Sequence, residues 1–344
     1  MVKLFHINEN RDKTIDVLRA IAFILIILVH VDTPNWINQF AHFNVPVMVF
    51  VAGLCSSLNY KKGYWDFVWH RLKRILIPMY LFILPCYLIP LLIADHYGVI
   101  ETGLNIKSIL GCFVFYKESM GYIWIFKVFA LMAFVTPLAV YISKNIKSEF
   151  LYLVILIAII LFHHGFLYLV ALLYPSSPGM AFFLDNYISY IFGYLPFLML
   201  GIRFKGIGRH SRAYNLWMAT AVVTLLLGAI LYVLIYGTTI DLSGFKYPPQ
   251  HFYIIYGAVA SILLYSSMNL LRVLSKCNIV IFIGQNTNWI YLWHIPFVPI
   301  CLLLINSWRI RFLVVFFLAI TIYSLQYRIV ARTNSSFFKR YFIG

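Results

Sequence analysis

Long apolar stretches follow one another along most of the chain, with short polar segments between them. Most run for about 20 residues, the length that crosses a bilayer as an α-helix. Ten candidate spans lie near residues 15 to 34, 41 to 58, 73 to 94, 120 to 142, 150 to 173, 182 to 202, 214 to 236, 252 to 272, 279 to 305 and 310 to 330. The pattern predicts an all-α, polytopic integral membrane bundle of about ten transmembrane helices.

Composition supports a membrane protein with one domain. Of 344 residues, 62% are hydrophobic and 11% charged, and the mean hydropathy is +0.87. These values are far from those of a soluble chain. We therefore predict a single transmembrane domain over 1–344, with a polar N-terminal tail (about 1–13) and a polar C-terminal tail (about 331–344). The N-terminal tail has no small-residue cleavage site, so we expect an uncleaved signal anchor.

Charge indicates topology rather than nucleic-acid binding. The formal net charge is +16, but the basic residues lie in short loops and not on one soluble face, so we predict no nucleic-acid partner. With the N-terminus inside, twenty of the 27 Lys and Arg fall on the inner side. Five fall on the outer side, namely Lys107, Lys117, Lys246, Arg309 and Arg311. This asymmetry predicts that both termini are cytoplasmic.

Cysteine and histidine spacing gives no sign of a metal site. The five cysteines are scattered and lie mostly in apolar runs, which favours neither a disulfide framework nor a metal centre. His163 and His164 are adjacent, so they point about 100° apart on a helix. We predict no metal.

The first span, "IDVLRAIAFILIILVH" (Ile15 to His30), carries unusual polar residues for a membrane helix. Eleven residues separate Arg19 from His30, a rotation of about 1100°, or three turns plus about 20°. The two side chains therefore share one stripe, about 16 Å apart along the axis, which is too far for direct contact.

Two interpretations of this stripe remain open. In the first, Arg19 snorkels to the inner surface, pairs with Asp16 at i, i+3, and His30 is an ordinary interfacial residue. In the second, both face a cavity, as intramembrane ionisable residues usually do, and His30 moves protons. A long thin substrate would fit the second, held by charge at one end and reacting at the other. Lys127, within another span, is expected to snorkel to the outer headgroups.

Five sequence motifs follow one another along the chain. They are the opening span just described, "VPVMVFVAGLCSS" (Val45 to Ser57), "RLKRILIPMY" (Arg71 to Tyr80), "YIWIFKVFALMAFVTPL" (Tyr122 to Leu138) and "FIGQNTNWIYLWHIP" (Phe282 to Pro296). Together they resemble the integral membrane acyltransferase family three, whose members O-acylate bacterial surface glycans. Ala52 departs from the pattern, because the family more often has serine before the glycine at this point.

The resemblance implies transfer of an acyl group, usually acetyl, from acyl-CoA to a sugar hydroxyl. His30 would be the catalytic histidine, and Arg19, about 16 Å away along the same helix, would be a catalytic and donor-binding residue. Arg71 and Arg74 would complete the donor site, since guanidinium groups suit phosphate. The alternative for Arg71 and Arg74 is the ordinary excess of basic residues in inner loops. Acetyl-CoA is then a donor substrate, with no permanently bound cofactor.

Several further residues are secondary candidates for the site, and most of them have a second, structural interpretation. Asp16 orients Arg19 or balances its charge, and Trp124 stacks on a sugar ring or belongs to the aromatic belt. His294 acts in the site or bonds the carbonyl freed by Pro296. Tyr291 belongs to the same signature. Asn286 lies in a polar patch that lines a cavity, breaks a helix or joins helices.

The resemblance places the chain in the bacterial inner membrane, with a glycan or lipid-linked sugar as acceptor and membrane lipids around it. Polysaccharide-synthesis proteins are possible partners. Two other functions fit a kinked bundle with buried polar groups: a transporter or flippase, and a non-catalytic subunit for polysaccharide export. Internal inverted repeats would favour transport, and the sequence shows none.

Overall fold

A computed structural model describes Asn8 and residues 11–59, 63–97, 106–116, 121–208, 211–237 and 241–343, and every regular element in these ranges is helical. The helices are α1 (Lys13–His30), α2 (Asn35–Ala41), α3 (Asn44–Asn59), α4 (Tyr64–Tyr97), α5 (Ile106–Phe113), α6 (Trp124–Asn145), α7 (Glu149–Leu173), α8 (Pro178–Phe183), α9 (Ser189–Gly206), α10 (Arg212–Tyr236), α11 (His251–Ser266), α12 (Asn278–Gln285), α13 (Thr287–Leu304), α14 (Trp308–Arg332) and α15 (Ser336–Phe338). The predicted all-α class is confirmed. Most of the predicted N-terminal tail, and Lys61, Lys62 and Lys117, lie outside the described residues.

Eight helical segments of the described ranges are long and apolar enough to cross a membrane. They are Asn35–Ser56, Trp124–Asn145, Glu149–Leu173, Pro178–Gly206, Arg212–Tyr236, His251–Lys276, Thr287–Leu304 and Trp308–Arg332. The chain is thus a multi-pass helical protein. α1 and α4, which correspond to the first and third predicted spans, are not among the eight. α1 holds Lys13, Asp16 and Arg19 within its 18 residues, so it carries more charged side chains than an apolar membrane-spanning helix usually does.

The helices divide into inner and outer ones. In the segment Asn35–Ser56, 72% of the most apolar window is buried inside the protein, against 11% for Arg212–Tyr236 and 17% for Glu149–Leu173. α1, α3, α6 and α9 therefore form the centre, while α7 and α10 present leucine and isoleucine side chains outward. An apolar groove of about 490 Å³ lies among α7, α9, α10 and α11, with His164 and His251 in its wall.

Two close helix contacts depend on glycine. A Cβ on Gly201 would lie 1.9 Å from the carbonyl oxygen of Phe50, so α9 can approach α3 only because the side chain is missing. A Cβ on Gly284 would likewise lie 1.9 Å from the carbonyl oxygen of Asp16. Small residues of this kind let backbones meet in membrane bundles. The second contact brings the end of α12 against the start of α1.

The predicted ninth span is two helices. α12 ends at Gln285 and α13 begins at Thr287, with Asn286 between them at φ −124°. The Asn286 side chain donates to the Phe282 carbonyl oxygen at 2.7 Å and so caps the end of α12. The polar patch is therefore a helix break, one of the alternatives left open by the sequence.

The C-terminal segment is helical and packs against the bundle. A π-helical turn, Lys339–Ile343, follows α15. The indole of Trp289 donates to the Tyr341 carbonyl oxygen at 2.7 Å, and Gln326 donates to the Phe342 carbonyl oxygen at 2.9 Å. The end of the chain thus holds α13 to α14 close to the helix break.

Candidate active site

α1 carries the two principal candidates at its two ends. It runs without interruption from Lys13 to His30, capped at its start by Asp12, whose carboxylate accepts from the Thr14 amide at 3.0 Å. Arg19 and His30 therefore keep the helical separation of about 16 Å. The residues around each end differ in charge and in bonding.

His30 and His294 form a hydrogen-bonded pair at the end of α1. Nδ1 of His30 lies 3.0 Å from Nε2 of His294, although 264 positions separate the two residues in sequence. The rings are nearly parallel, at 11°, with centroids 5.2 Å apart. His294 is 0% exposed whereas His30 is half-buried. His30 is thus the member of the pair that another molecule can reach.

The hydrogen bonds fix where the protons lie in the neutral pair. Nδ1 of His294 bonds the Tyr291 carbonyl oxygen, and a carbonyl only accepts, so that nitrogen carries the hydrogen. Nε2 of His294 is then the acceptor and Nδ1 of His30 the donor. Nε2 of His30 is left with a free lone pair. This arrangement presents a neutral imidazole base on the more accessible ring.

Two tyrosines hold the pair in place. The Tyr122 ring lies 4.5 Å from the His30 ring, between centroids. The hydroxyl of Tyr291 donates to the Tyr122 carbonyl oxygen, and the Tyr291 backbone accepts from His294. Tyr291 therefore supports both neighbours of His30. We predict that it positions the histidines.

Arg19 belongs to a polar network built on Asp16. Asp16 is buried, and its carboxylate accepts from Arg19 at 3.3 Å, from Arg11 at 3.2 Å and from Gln285 at 3.0 Å. Arg19 also donates to Cys55 Sγ at 3.0 Å. The close α1–α12 contact places Gln285 here, on the inner side of the predicted topology. The predicted Asp16–Arg19 pair is present in the structure.

Arg71 and Arg74 complete a cluster of cations. Arg71 donates to the Ser56 hydroxyl at 2.6 Å, and Ser56 in turn donates to the Ala52 carbonyl oxygen at 2.6 Å. Arg74 is exposed and interacts electrostatically with Arg19. Arg11 and Arg19 contact the Asp16 carboxylate. Arg71 lies next to Arg19, because the two bond the adjacent residues Ser56 and Cys55.

The charge on this cluster is not neutralised. Burial lowers the pKa of Arg11, and the nearby charge of Arg19 lowers it further, while Asp16 opposes the shift. Excess positive charge of this kind, on groups that form planar donor forks, is a site for an anion such as phosphate.

The side chains of the remaining candidates, Asn286 and Trp124, bond and pack with residues outside the Asp16 network and the histidine pair. Asn286 accepts from the Tyr323 hydroxyl at 2.6 Å, so its side chain is occupied at the helix break. Trp124 packs edge-to-face on Tyr247, with 5.0 Å between ring centroids. Its indole also lies 5.7 Å from the ammonium of Lys246. The structure therefore places Trp124 with Lys246 and Tyr247 of the loop between α10 and α11.

One expectation from the sequence is wrong. Lys127 does not snorkel to the headgroups but is buried in α6. Its ammonium donates to Asn186 Oδ1 at 2.9 Å and lies 3.8 Å from the centroid of the Tyr190 ring. Tyr190 on α9 and Asn186, in the π-helical turn Leu184–Ile188 before it, replace the water that a snorkelling lysine would contact.

Some site residues had no signal in the sequence. Gln285 joins Asp16 only through the tertiary contact of α12 with α1. Arg11 pairs with Asp16 from the segment before α1, where helix periodicity predicts no pair. Lys246 lies in a loop with no helical periodicity. Lys246 is 6% exposed and close enough to His30 and His42 for its charge to act on both rings. Its isolation inside an apolar chain was the one available clue.

Comparison with known proteins agrees with these motifs. The profile of the family three acyltransferase domain matches residues 12–326, which is most of the chain. The chain belongs to this acyltransferase family. No curated protein and no solved structure gives a significant match. The matched range of the acyltransferase domain includes both ends of α1, the α10–α11 loop and the helix break.

In an acyltransferase, the two ends of α1 are chemically suited to different parts of one reaction. A free imidazole nitrogen can remove a proton from an attacking hydroxyl. A cluster of arginines can hold an anionic carrier of the acyl group.

Proposed function

We propose that this protein is an O-acyltransferase that moves an acetyl group from acetyl-CoA to a hydroxyl of a surface or lipid-linked glycan. The His30–His294 pair carries the proposal, because it leaves Nε2 of His30 free as a base on the helix that also carries Arg19. Family membership gives the reaction class. The donor, the acceptor and the residue roles are the proposal.

The topology proposed for this function has ten spans, with α1 and α4 added to the eight apolar segments. Both termini are cytoplasmic, as the distribution of basic residues favours, and the membrane is the bacterial inner membrane. Arg19, Arg71 and Arg74 then face the compartment that contains coenzyme A. His30 lies toward the opposite face.

The donor fits the separation between the two ends. The nucleotide phosphates of acetyl-CoA are held by Arg19, Arg71 and Arg74, with Arg11 adding charge. The slender pantetheine arm runs along α1 and brings the thioester to His30, about 16 Å away. A long carrier bound at its charged end is in this way positioned at its reactive end.

The chemical step is general-base acyl transfer. The acceptor oxygen attacks the thioester carbon while Nε2 of His30 takes the hydroxyl proton. The new C–O bond forms, the C–S bond breaks, and the imidazolium returns the proton to the leaving thiolate. His294, held by the Tyr291 carbonyl, accepts the hydrogen bond from Nδ1 of His30 and so keeps the imidazole in the reactive tautomer.

The test uses purified protein in nanodiscs with acetyl-CoA labelled in the acetyl group and a panel of glycan acceptors. We expect label on a glycan hydroxyl, and a fall of about 10²–10⁴-fold in rate for His30→Ala, the usual contribution of a general base. His164→Ala, an exposed histidine of α7, is the matched control and should retain the wild-type rate. Wild-type transfer by His30→Ala would refute the assignment.

The same preparation separates catalysis from transport. Reconstituted vesicles that move a glycan across the membrane without acetylating it would favour the transporter or flippase. Activity only after a polysaccharide-synthesis protein is added would favour the accessory subunit.

A further inference from the structure

Lys246 is a buried cation with no carboxylate partner in the described part of the chain. It lies in the loop between α10 and α11 and is 6% exposed. Its ammonium is 5.1 Å from the Tyr247 ring centroid and 5.7 Å from that of Trp124. Aromatic faces offset part of the cost of burying a charge, but an ammonium without an anion remains costly.

The nearby carboxylates are engaged elsewhere. Asp241, in the same loop, accepts from Gln39 at 2.7 Å and from the Ser243 amide at 2.8 Å. Asp32, just beyond α1, pairs with Arg311 at 3.3 Å. The protein therefore places a cation beside its catalytic histidine and directs both of these acidic groups to other partners.

The loop that carries Lys246 is held at both ends. Gln39 of α2 accepts from the Leu242 amide at 2.8 Å. At the other end, His163 Nε2 lies 2.6 Å from the Pro249 carbonyl oxygen. The cation is thus held in place before any ligand binds, which lowers the cost of ordering on binding.

The surroundings of Lys246 suit a sugar that carries a negative charge. Tyr247 is 43% exposed and stands edge-to-face against Trp124. Such rings pack on the apolar faces of sugars, while the ammonium supplies a charge-assisted bond. The Trp124 ring centroid lies 5.7 Å from the Lys246 ammonium. Tyr122, two positions earlier in the chain, has its ring 4.5 Å from the His30 ring between centroids, so one ligand can reach both the ammonium and His30.

We propose that Lys246, with Trp124 and Tyr247, forms an acceptor subsite for an acidic glycan, binding its carboxylate or phosphate while a hydroxyl of the same glycan reaches His30. This inference rests on the proposed function, since it names the substrate class of that site. It adds a residue for choosing the acceptor and not for the chemical step.

Binding measured without donor tests the subsite. The probes are α-1,4-linked trigalacturonate, its carboxyl-reduced neutral form, and that neutral trisaccharide with one phosphate, titrated by calorimetry against protein in nanodiscs. We expect the acidic probes to bind at least about 10-fold more tightly than the neutral one, the value of one charged hydrogen bond. The two acidic probes separate carboxylate from phosphate recognition.

Three variants test whether the preference for acidic over neutral probes depends on the Lys246 ammonium. Lys246→Met should bring the acidic-to-neutral ratio close to one, Lys246→Arg should keep most of it, and Arg309→Met, which removes an exposed outer cation, should leave it unchanged. Equal binding of acidic and neutral probes by the wild type would overturn the proposal. A preference that survives in Lys246→Met would overturn it as well.

Acetyl-transfer assays distinguish failure of the acceptor subsite from failure of the proposed function. If Lys246→Met slows acetylation of neutral and acidic acceptors by the same factor, Lys246 acts in the chemical step and the subsite is wrong. If the wild type binds acidic probes selectively but acetylates none of them, the subsite stands and the proposed function fails.

Discussion

The two ends of α1 carry polar side chains in two different arrangements, one charged and one built from two histidines. At the start of the helix, Arg11 and Arg19 contact the Asp16 carboxylate and Arg71 and Arg74 lie close to Arg19, so the group has more positive than negative charges. At the other end, the rings of His30 and His294 are hydrogen-bonded to each other, and His294 is bonded in turn to the Tyr291 carbonyl oxygen. In the function proposed above, this difference separates two tasks. The charged end binds the anionic carrier of the acyl group, and the histidine end accepts a proton.

The largest effect is expected at the His30–His294 contact. His294→Phe removes the acceptor for Nδ1 of His30, so the ring loses its fixed tautomer, and we expect kcat to fall by about 10²-fold or more. His294→Gln places an amide oxygen near the lost nitrogen and should restore much of the rate. Steady-state kinetics with saturating acetyl-CoA measure both variants. Equal loss in Phe and Gln would indicate a packing role only.

The arginine end should change donor affinity instead. Arg19→Ala removes a charge-assisted bond to phosphate, and we expect KM for acetyl-CoA to rise by about 10-fold with a smaller change in kcat. Arg332→Ala, an exposed arginine in the last turn of α14, is the control. A fall in kcat at constant KM would place Arg19 in the chemistry and erase the distinction between the two ends.

The close contact between α12 and the start of α1 can be disturbed without changing a charged residue. Gly284→Ala inserts a methyl group that would lie 1.9 Å from the Asp16 carbonyl oxygen, so α12 must shift, at a cost of about 1–3 kcal/mol. Gly165→Ala, where no atom lies within 4 Å, is the control. Thermal unfolding in detergent should show a lower midpoint for Gly284→Ala alone. Equal unfolding midpoints for Gly284→Ala and Gly165→Ala would mean that α12 can move away from α1 at no cost in stability.

The smallest predicted effect is a pH dependence at the reacting end. Burial lowers the pKa of Lys246 to about 8. The cation is therefore present at pH 7 and lost as the pH rises through about 8. His30 and His42 are the other titratable side chains on which its charge acts. Preference for an acidic acceptor should fall about fourfold between pH 7 and 8.5. Lys246→Arg should keep its preference, and a parallel decline in that variant would refute the explanation.

Local features of the site could be read from the sequence, and distant ones could not. The i, i+3 pair of Asp16 and Arg19 and the shared stripe with His30 follow from helix geometry alone. The contact of His30 with His294 joins residues 264 positions apart, and no periodicity reports such a meeting. The apolar pattern located most spans but merged α12 with α13, because the break at Asn286 depends on a side-chain cap and not on hydropathy.

The wrong expectation for Lys127 has the same origin. A lysine in an apolar run reaches for water when its helix faces lipid, but α6 is a central helix, and Asn186 and Tyr190 lie within reach. Which helices are central depends on glycine contacts such as that of Gly201 with Phe50. These are properties of pairs of helices, so a single helix pattern does not contain them.

A structure determined by cryo-electron microscopy with a non-transferable thioether analogue of acetyl-CoA tests the central claim most directly. The account predicts the nucleotide phosphates against Arg19 and Arg71, the pantetheine arm along α1, and the acyl end beside Nε2 of His30. An analogue bound in the reverse direction, or in the apolar groove among α7, α9, α10 and α11, would contradict it.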